Sequence, residues 1–140
     1  MKMDAEIPEM MLASCGLNCY ACYAHVRTKN RCEGCRGDVA TLPKHCLQCA
    51  IKNCSLQMNV DFCVDCPRFP CMRIKRLNKR YREKYQTDLI ESMIRFRAIG
   101  AEAYLAEERA KYTCPQCGGV VSIHSRVCSE CGKFIELVDK

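Results

Sequence analysis

Cysteine is the residue that most constrains this chain, because fifteen of its 140 residues are cysteines. Twelve of them form six pairs in which two residues separate the thiols: Cys19/Cys22, Cys32/Cys35, Cys46/Cys49, Cys63/Cys66, Cys114/Cys117 and Cys128/Cys131. This Cys-x2-Cys spacing lets one tight turn present two thiolates to one metal ion, and two such turns complete a tetrahedral site. The sequence therefore predicts a protein that binds metal through thiolates.

The remaining composition indicates that the apolar core is thin. Hydrophobic residues make up 49% of the sequence, but that fraction includes the cysteines, and there is no Trp. A chain with few large apolar residues needs metal sites or disulfides to fold stably. The odd number of cysteines and the beginning MKMDAEIPEMM, which has no signal-peptide pattern, favour reduced thiols. We therefore expect a cytoplasmic protein, and no segment is apolar enough to predict a membrane span.

The distribution of cysteines divides the chain into four segments. We expect an N-terminal tail over residues 1–11, a cysteine-rich metal-binding domain over 12–71, a helical segment over 72–111 and a zinc ribbon over 112–140. The predicted fold class is a small metal-scaffolded α+β protein. It would combine an irregular cysteine-rich zinc cluster, amphipathic helices and a C-terminal β-hairpin zinc ribbon.

Periodicity predicts a first helix after the cysteine-rich domain. Its apolar residues recur on one stripe of a 3.6-residue period, and Pro70 suits its first turn. The stripe consists of Ile74, Leu77, Tyr81 and Tyr85.

Two further helices are predicted before the ribbon. Asp88 and Glu91 have the spacing of a capping box that opens a helix. The expected apolar side of that helix consists of Leu89, Ile90, Met93, Ile94 and Phe96. Gly100 can end it, so that residues 101–111 form a third helix that docks through Tyr104 and Leu105. A continuous helix is the alternative, since glycine costs only about 1 kcal/mol relative to alanine.

The last segment has the cysteine spacing of a zinc ribbon. Its expected ligands are Cys114, Cys117, Cys128 and Cys131. Gly118 and Gly132 follow the two pairs, where a positive φ lets backbone amides reach the sulfurs. The β-branched residues of GVVSIHSRV predict a hairpin, and residues 134–138 a closing strand. Four thiolates leave no coordination position for water, so this site is expected to be structural.

The other eleven cysteines predict further sites whose grouping stays open. The separations of the ribbon recur in Cys32, Cys35, Cys46 and Cys49. A third set could be Cys54, Cys63, Cys66 and Cys71. Cys15, Cys19 and Cys22 then lack one ligand, which His25 could supply, although it is equally well explained as an exposed or hydrogen-bonded residue. His45 and His124 are not expected to bind metal.

Iron–sulfur chemistry is the alternative to zinc in residues 15–71. Thiolates of that segment could hold a [4Fe–4S] cluster in an electron-transfer or sensor protein of an anaerobe. Cys15, Cys19 and Cys22 also have the spacing of the cluster motif in radical S-adenosylmethionine enzymes. Those enzymes need a partial α/β barrel of roughly 200 residues, and no series of strands alternating with helices is predicted here. We therefore expect no enzymatic activity.

Charge points to one candidate interaction surface. The formal net charge is +6, but fifteen thiolates with four divalent ions would change it to about −1. Residues 73–84, RIKRLNKRYREK, contain seven cations and one anion. This basic helix could bind the phosphates of a nucleic acid or an acidic protein, or it could balance the charge of the thiolates beside it.

The order of the cysteine motifs resembles a known family. Four motifs carry the resemblance: CGLNCYAC, CEGC, CLQCAIKNC and FCVDCPRFPCMRIKRL. They are similar to the cysteine-rich domain of unknown function 3795, found mainly in anaerobic bacteria and archaea, over residues 12–77. All eleven cysteines from Cys15 to Cys71 fall on the pattern, as do Gly16, Leu17, Gly34, Phe69 and Pro70.

His25 departs from that pattern, in which an aromatic residue takes its place. The helical stretch ending in IGAEAYLAEE before a CPxCG motif is also similar to an arrangement found behind that domain. The resemblance implies metal binding and implies no reaction. We therefore expect about four zinc ions and a role in recognition or scaffolding.

Overall fold

The computed structural model describes residues 1–36 and 49–136. Five α-helices lie in this part of the chain: α1 (Tyr23–Val26), α2 (Ala50–Gln57), α3 (Met72–Tyr85), α4 (Leu89–Ile99) and α5 (Ala101–Tyr112). Single 3-10 turns form at Glu9–Met11, Cys19–Ala21 and Cys63–Asp65. Cys46, His45 and the end of the expected closing strand lie outside the described residues. None of the described helices is long and apolar enough to cross a membrane.

Helix α3 has the predicted apolar stripe. Ile74 is completely buried, and the other three stripe residues are half-buried against the core. The helix begins at Met72 with Cys71 at its N-cap. Pro70 therefore precedes the helix, and its predicted place in the first turn is wrong.

Helix α4 begins at the predicted cap but buries a narrower face. The carboxylate of Asp88 accepts a hydrogen bond of 2.9 Å from the backbone N–H of Glu91. Leu89, Met93 and Phe96 are buried as expected, whereas Ile94 is 54% exposed. Ile94 lies about 140° around the helix from Leu89, since each residue advances the helix by about 100°. Its assignment to the apolar side was wrong.

Gly100 separates α4 from α5. Its φ of +88° breaks the helical path, so two helices form in place of a continuous one. Tyr104 and Leu105 of α5 are buried, as predicted. The two helices pack against each other and position the C-terminal segment beside the cysteine-rich region.

One apolar cluster connects all segments of the chain, which the composition did not predict. Its buried residues include Ile7 and Met11 from the N-terminal segment, Tyr20 from the cysteine-rich segment, Phe96 from α4 and Ile123 from the C-terminal segment. The described part of the chain therefore has an apolar core that does not depend on a metal site.

Residues 1–11, expected as a tail, pair with the C-terminal segment. The backbone N–H of Met3 donates to the carbonyl of Gly118 at 3.0 Å, and the N–H of Val120 donates to the carbonyl of Met1 at 2.9 Å. An antiparallel bridge joins Lys2 to Gly119 between them. Ile7 and Met11 are buried in the common core. This segment therefore stabilises the loop that presents Cys114 and Cys117.

The predicted β-hairpin is not confirmed. Within the described residues the C-terminal segment makes isolated antiparallel bridges: Thr113 with Val120, Val121 with Cys128, and Val127 with Phe134. The two Cys-x2-Cys turns reverse the chain after only a few residues, which leaves little length for a regular ladder.

Candidate metal centre

The four C-terminal cysteines form the most compact ligand set in the described part of the chain. The sulfurs of Cys114, Cys117, Cys128 and Cys131 all lie within 4.8 Å of one another. Cys117 and Cys128 are 3.5 Å apart and Cys114 and Cys131 are 3.9 Å apart, sulfur to sulfur. Zinc–sulfur bonds of about 2.3 Å place the sulfurs of a tetrahedral site about 3.8 Å apart. The arrangement therefore fits one tetrahedral metal ion.

Glycines permit the two turns of this site. Gly118 and Gly132 have φ values of +75° and +73°, as their positions after the cysteine pairs predicted. Gly119 has a different role, because a Cβ at this position would lie 2.7 Å from the sulfur of Cys128. In the sequence, the dipeptide Gly118–Gly119 indicates that a glycine is needed here. Only the folded turn shows that Gly119 is the one whose side chain would collide with Cys128.

Backbone amides bias the site toward negative charge. Burial acts to raise the pKa of Cys128, but the N–H groups of Cys131 and Glu130 outweigh it and lower that pKa to about 7. For Cys117 the N–H of Gly119 lowers the pKa, while burial and neighbouring thiols raise it to about 11. The thiolate is thus favoured at Cys128 over Cys117, and a divalent cation would compensate the charge of the thiolates that it binds.

A second group of thiols surrounds Cys35. The backbone N–H of Cys35 points at the sulfur of Cys19 at 3.5 Å. Burial, opposed by the N–H of Ala24, raises the pKa of Cys22 to about 11, with smaller contributions from Cys35 and Cys32. The pairs Cys19/Cys22 and Cys32/Cys35 are thus neighbours, although the sequence prediction placed them in different sites.

A third group lies around Cys63. Burial is the main cause that raises the pKa of Cys63 to about 12. The charges of Cys71, Cys54, Cys66 and Cys49 also raise this pKa, by smaller amounts. Three of these four neighbours are the predicted partners of Cys63, but the four sulfurs of that set do not lie within 4.8 Å of one another.

Cys15 lies between the two N-terminal groups. Burial raises its pKa well above the usual range, the N–H of Leu17 opposes this, and the charges of Cys35, Cys49 and Cys63 add to it. Apart from the C-terminal set, the described residues contain no three ligands within 4.8 Å of one another. Cys46, one ligand of the site predicted from Cys32 to Cys49, lies outside the described residues. All fourteen described cysteines are free thiols.

His25 makes a hydrogen bond to the cysteine-rich backbone. Its Nδ1 lies 2.6 Å from the carbonyl oxygen of Cys32, so this nitrogen must carry the proton. The ring also packs at a tilt against Tyr20, with 5.3 Å between the centroids. Within the described residues, His25 and the cysteines do not form a compact set of metal ligands.

His124 joins the C-terminal segment to α1 and α3, a role that the sequence did not reveal. Its Nδ1 accepts from the backbone N–H of Tyr23 at 3.3 Å, and its Nε2 lies 3.0 Å from the hydroxyl of Tyr81. The ring of Tyr85 packs edge-on at 4.8 Å. Burial lowers the pKa of His124 to about 4, which keeps the imidazole neutral. In the sequence, only the spacing of Tyr81 and Tyr85, four residues apart on the α3 stripe, could have indicated this aromatic contact.

The basic surface of α3 faces solvent opposite this aromatic contact. Its exposed cations are Arg73, Lys75, Arg76, Lys79, Arg80, Arg82 and Lys84. Arg82 lies 3.7 Å from the carboxylate of Asp88. The buried stripe fixes the helix to the core, and the cations cover the rest of its circumference.

Residues 11–76 match the sequence model of a family described as "Protein of unknown function (DUF3795)". The match confirms the resemblance that the cysteine motifs predicted. It covers the N-terminal cysteines and the beginning of α3, and the C-terminal metal centre lies beyond it. Neither the curated proteins nor the solved structures contain a match to the chain.

Proposed function

We propose that this DUF3795-type chain is a zinc-binding protein with about four structural sites that acts as a non-catalytic recognition or scaffolding module. The observation that carries the proposal is the closed set of four sulfurs from Cys114 to Cys131, all within 4.8 Å of one another. Four thiolates saturate zinc, so such a site stabilises a fold and does not activate water. On this proposal the C-terminal segment is a zinc ribbon whose hairpin is reduced to bridges.

The N-terminal thiols supply the other sites of the proposal. The set around Cys63 forms one, and the neighbouring pairs Cys19/Cys22 and Cys32/Cys35 support a second. Cys15, Cys46 and Cys49 remain for another site. Zinc requires reduced thiols, so we place the protein in the cytoplasm.

The exposed cations of α3 are the proposed interaction surface. They contact the partner's phosphates or carboxylates, while the buried stripe keeps the helix on the metal-stabilised core. A surface of this kind binds nucleic acid without sequence preference, and its affinity falls with salt.

Binding of a duplex DNA to the metal-loaded protein tests this surface. Replacing Arg76, Lys79 and Arg80 by Ala should reduce the slope of log affinity against log salt by up to about 2.7. The matched control replaces Lys29, Arg68 and Lys133, three exposed cations outside α3, and should keep the slope. No binding at low salt would exclude the nucleic-acid partner, and equal slopes in both variants would leave the cations of α3 only the role of balancing the charge of the thiolates.

An iron–sulfur redox or sensor protein is the second candidate, and one observation favours it. Cys19 is 3% exposed and belongs to the apolar core cluster, against which Cys15 and Cys35 also pack. Apolar wrapping of this kind suits a [4Fe–4S] cluster. The sequence offered the cluster as an alternative but did not predict the apolar wrapping. The metal content distinguishes the two candidates.

A further inference from the structure

An open groove runs between α3 and α4. Its volume is about 590 Å³, and its lining includes Asn78 of α3 and Ile90 of α4. Asn78 is buried and joins the two helices, because its Oδ1 accepts a hydrogen bond of 2.6 Å from the backbone N–H of Leu89. The groove is therefore a feature of two helices that are packed and bonded to each other.

Three exposed cations line the α3 side of this groove: Lys75, Lys79 and Arg82. Their spacing of four and three residues places them within about 60° of one another around the helix. Together they extend over about 10.5 Å of the helix axis. Among the described residues that line the groove, Glu83 alone is acidic. Positive charge therefore predominates in the groove.

The side chains of these cations are available to a partner. Among the described residues, neither Lys75 nor Lys79 forms an ion pair. The Nε atom of Arg82 lies 3.7 Å from the carboxylate of Asp88, but the side chain of Arg82 is 67% exposed. An exposed pair at this distance is weak, so Arg82 can also contact a second anion.

A second set of cations lies on another side of α3. Arg73, Arg80 and Lys84 fall within about 40° of one another around the helix, and about 150° away from the groove set. None of these three lines the groove. The basic helix therefore has two charged sides, and the groove accompanies one of them.

We propose that this groove holds the phosphodiester backbone of one strand of a nucleic acid. Each strand of a DNA duplex carries one phosphate per about 3.4 Å of its axis, so at most about three phosphates pass along the three cations. This inference rests on the nucleic-acid binding proposed above and adds which side of α3 performs it.

Hydrogen bonding favours a phosphate backbone over an acidic peptide in this groove. A phosphodiester only accepts hydrogen bonds, and the Lys and Arg side chains only donate them. A peptide also presents backbone N–H groups, which need acceptors. The Oδ1 of Asn78 already accepts from α4, which leaves Glu83 as the acceptor side chain among the described lining residues.

Duplex DNA binding by the metal-loaded full chain, measured over a range of salt, tests the groove. Replacing Lys75, Lys79 and Arg82 together by Ala should reduce the slope of log affinity against log salt by up to about 2.7. The matched control removes the same charge from the other side of the helix and should change the slope by less than about 0.9, the share of one phosphate contact. This control replaces Arg73, Arg80 and Lys84 by Ala.

Circular dichroism shows whether each variant is folded. If the triple groove variant does not fold, Lys75→Gln combined with Lys79→Gln keeps Arg82 beside its partner carboxylate. That double variant should reduce the slope by up to about 1.8. Its control is Arg73→Gln combined with Arg80→Gln, which should again change the slope by less than about 0.9.

The outcomes separate this inference from the proposed function. The variant of Arg76, Lys79 and Arg80 has only Lys79 in the groove and should lose about 0.9 of the slope. Equal slopes in the groove variant and its control, or a larger loss in the control, would overturn the groove and leave nucleic-acid binding in place. Absence of DNA binding by the unaltered protein would overturn both. Displacement of the DNA by polyglutamate at equal charge would overturn the choice of a phosphate backbone in favour of an acidic protein.

Discussion

The Nε2 atom of His124 lies 3.0 Å from the hydroxyl oxygen of Tyr81. Because Nδ1 accepts from the N–H of Tyr23, the neutral imidazole carries its proton on Nε2 and donates it to Tyr81. This bond joins the C-terminal metal segment to α3. Together with the bond to Tyr23, it connects the C-terminal segment to the cysteine-rich segment, although the candidate metal ligands of the two segments are separate cysteines.

Tyr81→Phe should therefore destabilise the protein by about 1–3 kcal/mol, because it leaves the buried N–H of His124 without an acceptor. Urea unfolding of the metal-loaded protein measures the loss. Tyr85→Phe is the matched control, because its ring packs on the same imidazole and is retained. Its effect should stay within about 0.5 kcal/mol. Equal losses in the two variants would contradict the role of the Tyr81 hydroxyl.

The neutral imidazole also predicts a dependence of stability on pH. The pKa of His124 is lowered from 6.5 to about 4 in the folded protein, so the unfolded chain binds the proton more readily. The contribution of His124 is complete above pH 6.5 and is lost as the pH falls toward 4. The melting temperature should fall more steeply over this range than in His124→Gln, which does not titrate.

Metal release in acid is common to the two proteins of this comparison, so the difference between their curves isolates His124. Parallel curves from pH 6.5 downward would show that the imidazole is not buried in its neutral form.

Gly119→Ala should disrupt the C-terminal metal site. The added methyl group would lie 2.7 Å from the sulfur of Cys128 and 2.8 Å from the Cβ of Glu130, so the turn must move. We expect the loss of about one metal ion per chain by elemental analysis, with the N-terminal sites retained. In Gly118→Ala the new Cβ meets open space, and only the positive φ opposes it. That variant should lose stability and keep its metal; equal metal content in the two variants would contradict the prediction.

The helices were predictable because local patterns specify them. The stripe from Ile74 to Tyr85, the cap at Asp88 and the break at Gly100 each depend on residues within about three helical turns. The cysteine spacing likewise predicted which residues form the C-terminal set, since one turn determines each pair.

Contacts between distant segments were not predictable. Asn78 reads as a polar position of a basic helix, yet it is buried and its Oδ1 accepts from the N–H of Leu89 at 2.6 Å. The contact of Cys19 with Cys35 likewise depends on how two loops fold over each other, which spacing does not encode. Asn18 and Glu108 are ninety residues apart in the sequence, and their side chains interact only in the folded chain.

The metal content of protein purified without oxygen tests the central claim most directly. Elemental analysis together with the visible spectrum of the full chain should give about four zinc ions, almost no iron and no colour, because the C-terminal four-thiolate set suits zinc and sets the expectation for the N-terminal thiols. Cys117→Ser should remove about one zinc ion. A brown protein with iron and sulfide, absorbing near 400 nm and bleached by dithionite, would contradict the zinc proposal for residues 15–71 if Cys15→Ala removed that absorption.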